Sequence, residues 1–312
     1  MNAMRQAAGH RPDSEERLDS VLADVVRQTG ASIAMLYLLQ PGEQVLRLAL
    51  LSGVSRQIAA PWTCIPLDAP IPIADALRQR RLVWLGGQEE MARRYPRLGI
   101  VLPYDFMLAA APFASGGSVW GGIVLLWPIW HPPQLDEDER QAVTVCCRRA
   151  ADVLEKAAQR GRPLRAPEEP RLLAAQLRES DAAQAMAALG FTERLPVGCC
   201  ALDIEGRLTF INSAAADLVD AGAACLVGKR PWEVLLWLNG PLFEDRYRAA
   251  LISRQSTSFI AVRDPDTPLF FQLYPGDSGI SIHITPAAQP ATTGPGGQGP
   301  RSPSEPVSAT AF

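Results

Sequence analysis

The apolar positions of this chain change their period several times, and each change marks an element. Across residues 14–28, Leu18, Val21, Leu22, Val25 and Val26 recur at three- and four-residue steps, which predicts a helix with one buried face. Ile33–Leu39 and residues 45–51 are almost unbroken apolar runs on either side of Pro41-Gly42, the pattern of two strands and a turn. Residues 72–80 predict a short helix and residues 82–85 a short strand. Residues 107–113 and 119–127 predict two further strands around Ser115-Gly116-Gly117-Ser118. A long helix then begins at Asp136, whose carboxylate can accept the first free N–H groups, with Glu139 placed to complete a capping box.

A second block follows the same logic. Residues 160–170 hold Pro163, Pro167, Pro170 and a cluster of charges, and read as a linker. From residue 171 an alanine-rich helix is expected, stopping at Gly190. Residues 195–204 and 207–212 then predict paired strands around the turn at Asp203 to Gly206. Asn212 or Ser213 can cap a short helix through Val219, and residues 243–253 predict another helix. Residues 256–263, 269–274 and 280–285 close the block as strands. The division is therefore 14–159, a linker at 160–170, and 171–286. Residues 1–13 and 287–312 carry too few large apolar side chains to offset the entropy of ordering, and are expected to be disordered.

Composition narrows the classes. The chain has 312 residues, 47% apolar and 20% charged, with a net charge of −3, so neither a nucleic-acid binder nor a membrane-surface binder is expected. The most apolar run, residues 119–130, is broken by glycines and Pro128 and is shorter than the ~20 residues that span a bilayer. A cytoplasmic location is expected. The six cysteines include no C-x-x-C pair, so thiols are expected rather than a disulfide or metal framework.

Two blocks of residues carry resemblances. Ala111-Pro112-Phe113, then Trp120-Gly121-Gly122-Ile123-Val124-Leu125, then Leu135-Asp136-Glu137-Asp138-Glu139-Arg140 resemble a GAF domain in their order. Pro70 to Ala76, Val83-Trp84-Leu85 and Arg94-Tyr95-Pro96 are similar to the GAF modules of bacterial regulatory serine phosphatases. The second block resembles a PAS domain through Leu195-Pro196-Val197-Gly198, Leu202 to Leu208, Ile211 to Ala215 and Leu226-Val227-Gly228-Lys229. The resemblance implies an α+β protein of two domains, each an antiparallel five- or six-stranded sheet with flanking helices. It also implies signal sensing, by a small molecule or a signalling protein that shifts the flanking helices. A ligand-free dimerisation scaffold, or the sensory part of a phosphatase regulator, are the alternatives. No catalytic activity is expected, because the residues after Thr285 lack the metal-binding aspartates and the further fold that the phosphatase needs.

Within this frame the candidate ligand-binding residues are Trp62, Cys64, Trp84, Phe106 and Trp120 in the first domain, and Phe210, Trp232, Trp237 and Phe259 in the second. On the long helix, Val143, Cys147, Ala150 and Leu154 follow a heptad spacing. They either pack on their own sheet or form a homodimer interface. The cofactor is left open. Haem is not expected, since His10, His131 and His283 lie in a start segment, a turn and a strand, and the cysteine settings of flavin and bilin sensors are absent.

Overall fold

The structure is a computed structural model and describes residues 14–40, 42–173, 182–263 and 267–287, with backbone alone at 182–185. The disorder expected at 1–13 and 288–312 falls outside the described residues. Ala287 is described, and its N–H donates to Pro268 O at 2.8 Å.

The first half runs α1 (Ser14–Thr29), β1 (Ile33–Leu39), β2 (Val45–Ser52), α2 (Arg56–Ala59), β3 (Cys64–Pro66), α3 (Pro72–Gln79), β4 (Val83–Leu85), α4 (Gln88–Arg94), α5 (Pro96–Val101), β5 (Phe106–Ser115), β6 (Ser118–Pro128) and α6 (Glu137–Gln159). Its strands pair in the order β3-β2-β1-β6-β5-β4, each neighbour antiparallel. Both faces of this sheet are covered, which is why its strands read as continuous apolar runs. Leu36, Leu38, Ile123, Leu125 and Trp127 pack on α1 and α6. Ile33, Tyr37, Leu108, Val124 and Leu126 point the other way, towards α3, α4 and α5. The glycines of β6 allow the close approach this requires. A Cβ at Gly122 would stand 2.8 Å from both Ala111 O and Ile73 Cδ1.

The capping box forms as the sequence predicts, with Glu139 N donating to Asp136 Oδ1 at 2.7 Å and Asp136 N to Glu139 Oε2 at 2.9 Å. Along α6 the heptad positions turn inward. Val143, Ala150 and Leu154 are buried in the core shared with α1 and the sheet, and half-buried Cys147 packs against it. Of the two alternatives left by the sequence, this is packing on their own sheet, and the apolar surface that a dimer interface would need at these positions is already spent within the chain.

The second half runs β7 (Arg171–Leu173), α7 (Ala182–Glu193), β8 (Gly198–Asp203), β9 (Leu208–Ile211), α8 (Ser213–Val219), α9 (Ala223–Leu226), α10 (Pro231–Val234), α11 (Pro241–Ser253), β10 (Thr257–Arg263), β11 (Thr267–Gly276) and β12 (Gly279–Pro286). Five strands form an antiparallel sheet in the order β10-β11-β12-β8-β9. The two sheets with their flanking helices make the α+β architecture expected. Two details differ. Residues 171–173 are a strand, parallel to Leu50–Ser52 of β2, because β3 covers only Val45 to Arg47 and leaves the rest of that edge to be satisfied. Arg171 then binds Asp19 of α1 through both carboxylate oxygens, at 2.8 and 3.1 Å. Helix α7 also runs through Gly190 to Glu193. Its last turn is held from outside, by Asn212 Nδ2 donating to Thr192 O and by Ser213 N donating to Glu193 Oε1.

Asn212 is the polar centre of this half. It is fully buried, accepts from Ala215 N and Cys199 N at 2.9 Å, and donates to Thr192 O and Val197 O at 3.0 Å. One side chain thus caps α8, ties β8 to its neighbour and anchors α7. Asn212→Ala would leave those four backbone groups short of a partner. A loss of about 2–4 kcal/mol is expected in denaturant unfolding followed by near-UV signals of the second half. A loss within error would show that the network carries no stability.

Candidate functional site

Between the sheet of the first half and its short helices lies a cavity of about 60 Å3. Its floor is Tyr37, Leu108, Val124 and Leu126 on β1, β5 and β6, and its roof comes from α3 and α5 through Ile73 and Leu98. Trp62, Ile71 and Leu102 stand half-buried at its mouth. The roof is held by polar contacts outside the cavity. Tyr95 Oη donates to Asp75 Oδ2 at 2.8 Å, tying the α4–α5 corner to α3, and Gln88 Nε2 donates to Gly99 O and Leu102 O at the end of α5. Burial and the Asp75 carboxylate together push the Tyr95 hydroxyl up to about 12, so it stays a donor.

Among the described residues the lining holds no charged side chain. A charged ligand would leave water for an apolar wall with no counter-charge, which is strongly unfavourable. The polar tips of the aromatic residues next to the sheet differ in the partners they find. On the α1–α6 side, Trp127 Nε1 donates to Thr29 O at 2.8 Å, Trp84 Nε1 to Pro133 O at 2.9 Å and Trp120 Nε1 to Ser115 Oγ at 3.0 Å. On the cavity side, the hydroxyl of Tyr37 has the thioether of Met35, at 3.5 Å.

Of the residues singled out in the sequence, Trp62 is brought to the cavity. Phe106 is buried in the same apolar cluster without lining it. Trp84 and Trp120 pack on the opposite face of the sheet, Trp84 edge-on to Trp127 with ring centres 5.4 Å apart. Cys64 is exposed at the sheet edge, 3.6 Å from Arg47 Nη1, and is no part of the lining.

In the second half the aromatic candidates fill the core rather than frame a cavity. Trp232 lies against Phe243 and Tyr247 at 5.4 and 5.3 Å, and against Gly206, where a Cβ would meet its ring at 2.5 Å. Phe259 stacks on Phe271 at 5.0 Å, while half-buried Trp237 reaches Phe271 at 6.3 Å. Phe210 is half-buried on β9, outside the core cluster. The space left among these side chains is about 20 Å3, a third of the first-half cavity.

The apolar cluster around the cavity continues into the second half. Ile252 of α11 is buried in the same cluster as Tyr37 and Leu108, and Ile58 of α2 packs on the cores of both halves. Beyond it, Arg254 Nη2 donates to Ser32 O at 3.1 Å and Gly53 O at 3.3 Å, while Nη1 donates to Gly276 O. Burial pulls this guanidinium below its ordinary pKa, and its Nε has no partner among the described residues. Arg56 adds a backbone N–H to Glu205 at 3.0 Å, and Gln57 donates to Glu244 at 3.1 Å.

Residues 13–154 match the family model of the GAF domain, and residues 192–287 match that of the PAS fold. The chain carries a GAF domain followed by a PAS fold. No curated protein matches the chain. Among solved structures, the GAF half is similar to a GAF domain/HD domain protein from Geobacter sulfurreducens, with 16% identity, a TM-score of 0.42, and coverage of 48% of this chain and 97% of that one. The second GAF domain of DevS from Mycobacterium smegmatis has 18% identity, a TM-score of 0.38, and coverage of 48% and 99%. Free methionine-R-sulfoxide reductase from Neisseria meningitidis, solved with its substrate, has 17% identity, a TM-score of 0.38, and coverage of 47% and 81%.

The packing of the GAF and PAS thiols sets their reactivity. Cys64 and Cys225 are exposed, whereas burial pushes Cys146 and Cys200 up to about 12. At pH 8 iodoacetamide is expected to modify Cys64 and Cys225 and to spare Cys146 and Cys200 until the protein is unfolded, as read by peptide mass spectrometry. Early labelling of Cys200 would contradict a closed PAS core.

Proposed function

We propose that this chain is a cytoplasmic signal-sensing regulatory protein. Its GAF cavity binds a small molecule, and the change passes through the flanking helices and the α11 joint to the PAS fold and a partner protein. The carrying observation is that the GAF cavity shares one buried cluster with Ile252 of PAS helix α11. Ile252 does not line the cavity, so displacement of the wall by a ligand would reach the second domain through the intervening side chains of that cluster. The proposal assigns no catalytic step to the chain, and no helix among the described residues is long and apolar enough to cross a membrane.

A second reading, a self-associating scaffold, draws on helix α7. Met186, Leu189 and Phe191 are 67%, 45% and 60% exposed there, an apolar set outside the core clusters of the described residues. Light-scattering mass separates the two. A monomer at high concentration removes the scaffold reading, while a dimer broken by Phe191→Asp supports it.

For the sensing reading, the purified chain is examined for co-purified molecules and for thermal shifts across a metabolite panel. Hydrogen exchange then reports whether a bound molecule alters protection in α6 and α11 as well as around the cavity. A chain with nothing bound and no shift from any compound would sink it.

The joint makes its own prediction. Arg254→Met removes the guanidinium bonds to Ser32 and Gly53 while keeping a chain of similar length. Calorimetry is expected to resolve two unfolding transitions several degrees apart, where the wild type shows one or a closer pair. An unchanged profile would show that Arg254 does not couple the domains.

A further inference from the structure

The hydroxyl of Tyr37 gives the GAF cavity a chemical preference. Tyr37 is 1% exposed and lines the cavity from the middle of β1, a strand otherwise entirely apolar. The bond it makes is to Met35 Sδ at 3.5 Å, and a thioether is a weak acceptor. Burial holds its pKa far above that of a free phenol, so the group stays neutral and its O–H stays available as a donor. The strong polar groups among the other lining side chains reduce to one, the indole N–H of Trp62 at the mouth. A buried donor with a poor partner is a cost the folded protein bears until a better acceptor arrives.

Resting on the reading of the GAF half as the ligand-binding domain, we propose that the cavity takes a small uncharged molecule with a short hydrocarbon body and one carbonyl-type oxygen. That oxygen accepts the Tyr37 hydroxyl in place of Met35 Sδ. Acidic and basic metabolites, and nucleotides with them, are disfavoured because no lining group can pair with their charge. Sugars are disfavoured because their several hydroxyls would face carbon.

Size points the same way. An apolar cavity of about 150 Å3 admits benzene, and this one is about 60 Å3. The oxygen and the first carbons fit the cavity as it stands. The remainder of a five-carbon body displaces Trp62, Ile71 or Leu102 at the mouth, side chains that are only half-buried. Occupancy and movement of the wall are thereby linked.

The test uses the full chain with methyl-labelled Ile, Leu, Val and Met, titrated by NMR with cyclopentanone, cyclopentane and cyclic AMP. The methyls of Met35, Ile73, Leu108 and Val124 are expected to shift saturably with both cyclic compounds. Cyclopentanone is expected to bind about fivefold or more tightly than cyclopentane, the worth of one hydrogen bond. Tyr37→Phe removes a hydroxyl and adds no bulk. It is expected to erase that ratio, with a melting temperature no lower than that of the wild type.

Equal affinities in the wild type, or a ratio that survives in Tyr37→Phe, would overturn the role of the hydroxyl. Cyclic AMP shifting the same methyls would overturn the ligand class while leaving the sensing function standing. No saturable shift with any of the three would likewise reject the ligand class. The sensing function would then stand or fall on its own panel and hydrogen-exchange measurements.

Discussion

Everything in the GAF half follows from a sheet that is buried on both faces. β1 and β6 lie side by side at its centre, and their alternate residues are committed to opposite cores, one closed by α1 and α6, the other by α3 to α5. With no wet face, each polar tip has to find a partner inside the protein. Trp127, Trp84 and Trp120 do so on one side through their indole N–H groups. Tyr37 on the other side makes do with sulfur. The same constraint that builds the fold therefore leaves one ill-matched donor, and it sits where the packing is incomplete.

The PAS half resolves the same problem differently. Its sheet covers one aromatic-rich core, in which Trp232, Phe243, Phe259 and Phe271 interlock and leave almost no free volume. Its polar demands concentrate in Asn212, which satisfies four backbone groups at once. A half-open apolar cavity in one domain, and a filled core in the other, assign them different parts in the proposed mechanism. The first can change shape on binding, and the second is a body to be moved. Ile252, Ile58 and Arg254 are the places where that movement would be felt.

Local patterns anticipated most of the elements because they depend on local causes. The capping box at Asp136 and Glu139 and the Asn212 cap need only neighbouring backbone, so residue identity a few positions apart suffices to read them. The stop assigned to Gly190 failed for the opposite reason. The helix is held beyond it by Asn212 and Ser213, some twenty residues away. Residues 171–173 were equally opaque, since what makes them a strand is the vacant edge of β2.

The candidate site shows the same boundary. The sequence offers aromatic residues as pocket-formers, yet Trp84 and Trp120 pack and hydrogen-bond on the other face, Trp232 and Phe259 fill the second core, and of the set Trp62 alone lines the GAF cavity. Aliphatic lining residues such as Ile73, Leu98 and Leu108 look in a sequence like any other core residue. The usable signal was a phenol in the middle of an all-carbon strand. Periodicity, caps and turn residues act over a few positions, so the chain's order of residues was enough to place most helices and strands in two blocks, and the resemblance to known families implied the fold of each. Which face of α6 is hidden, where space remains unfilled and what meets Arg254 depend on side chains far apart in sequence. Those were decided only when the sheets closed and packing brought them together.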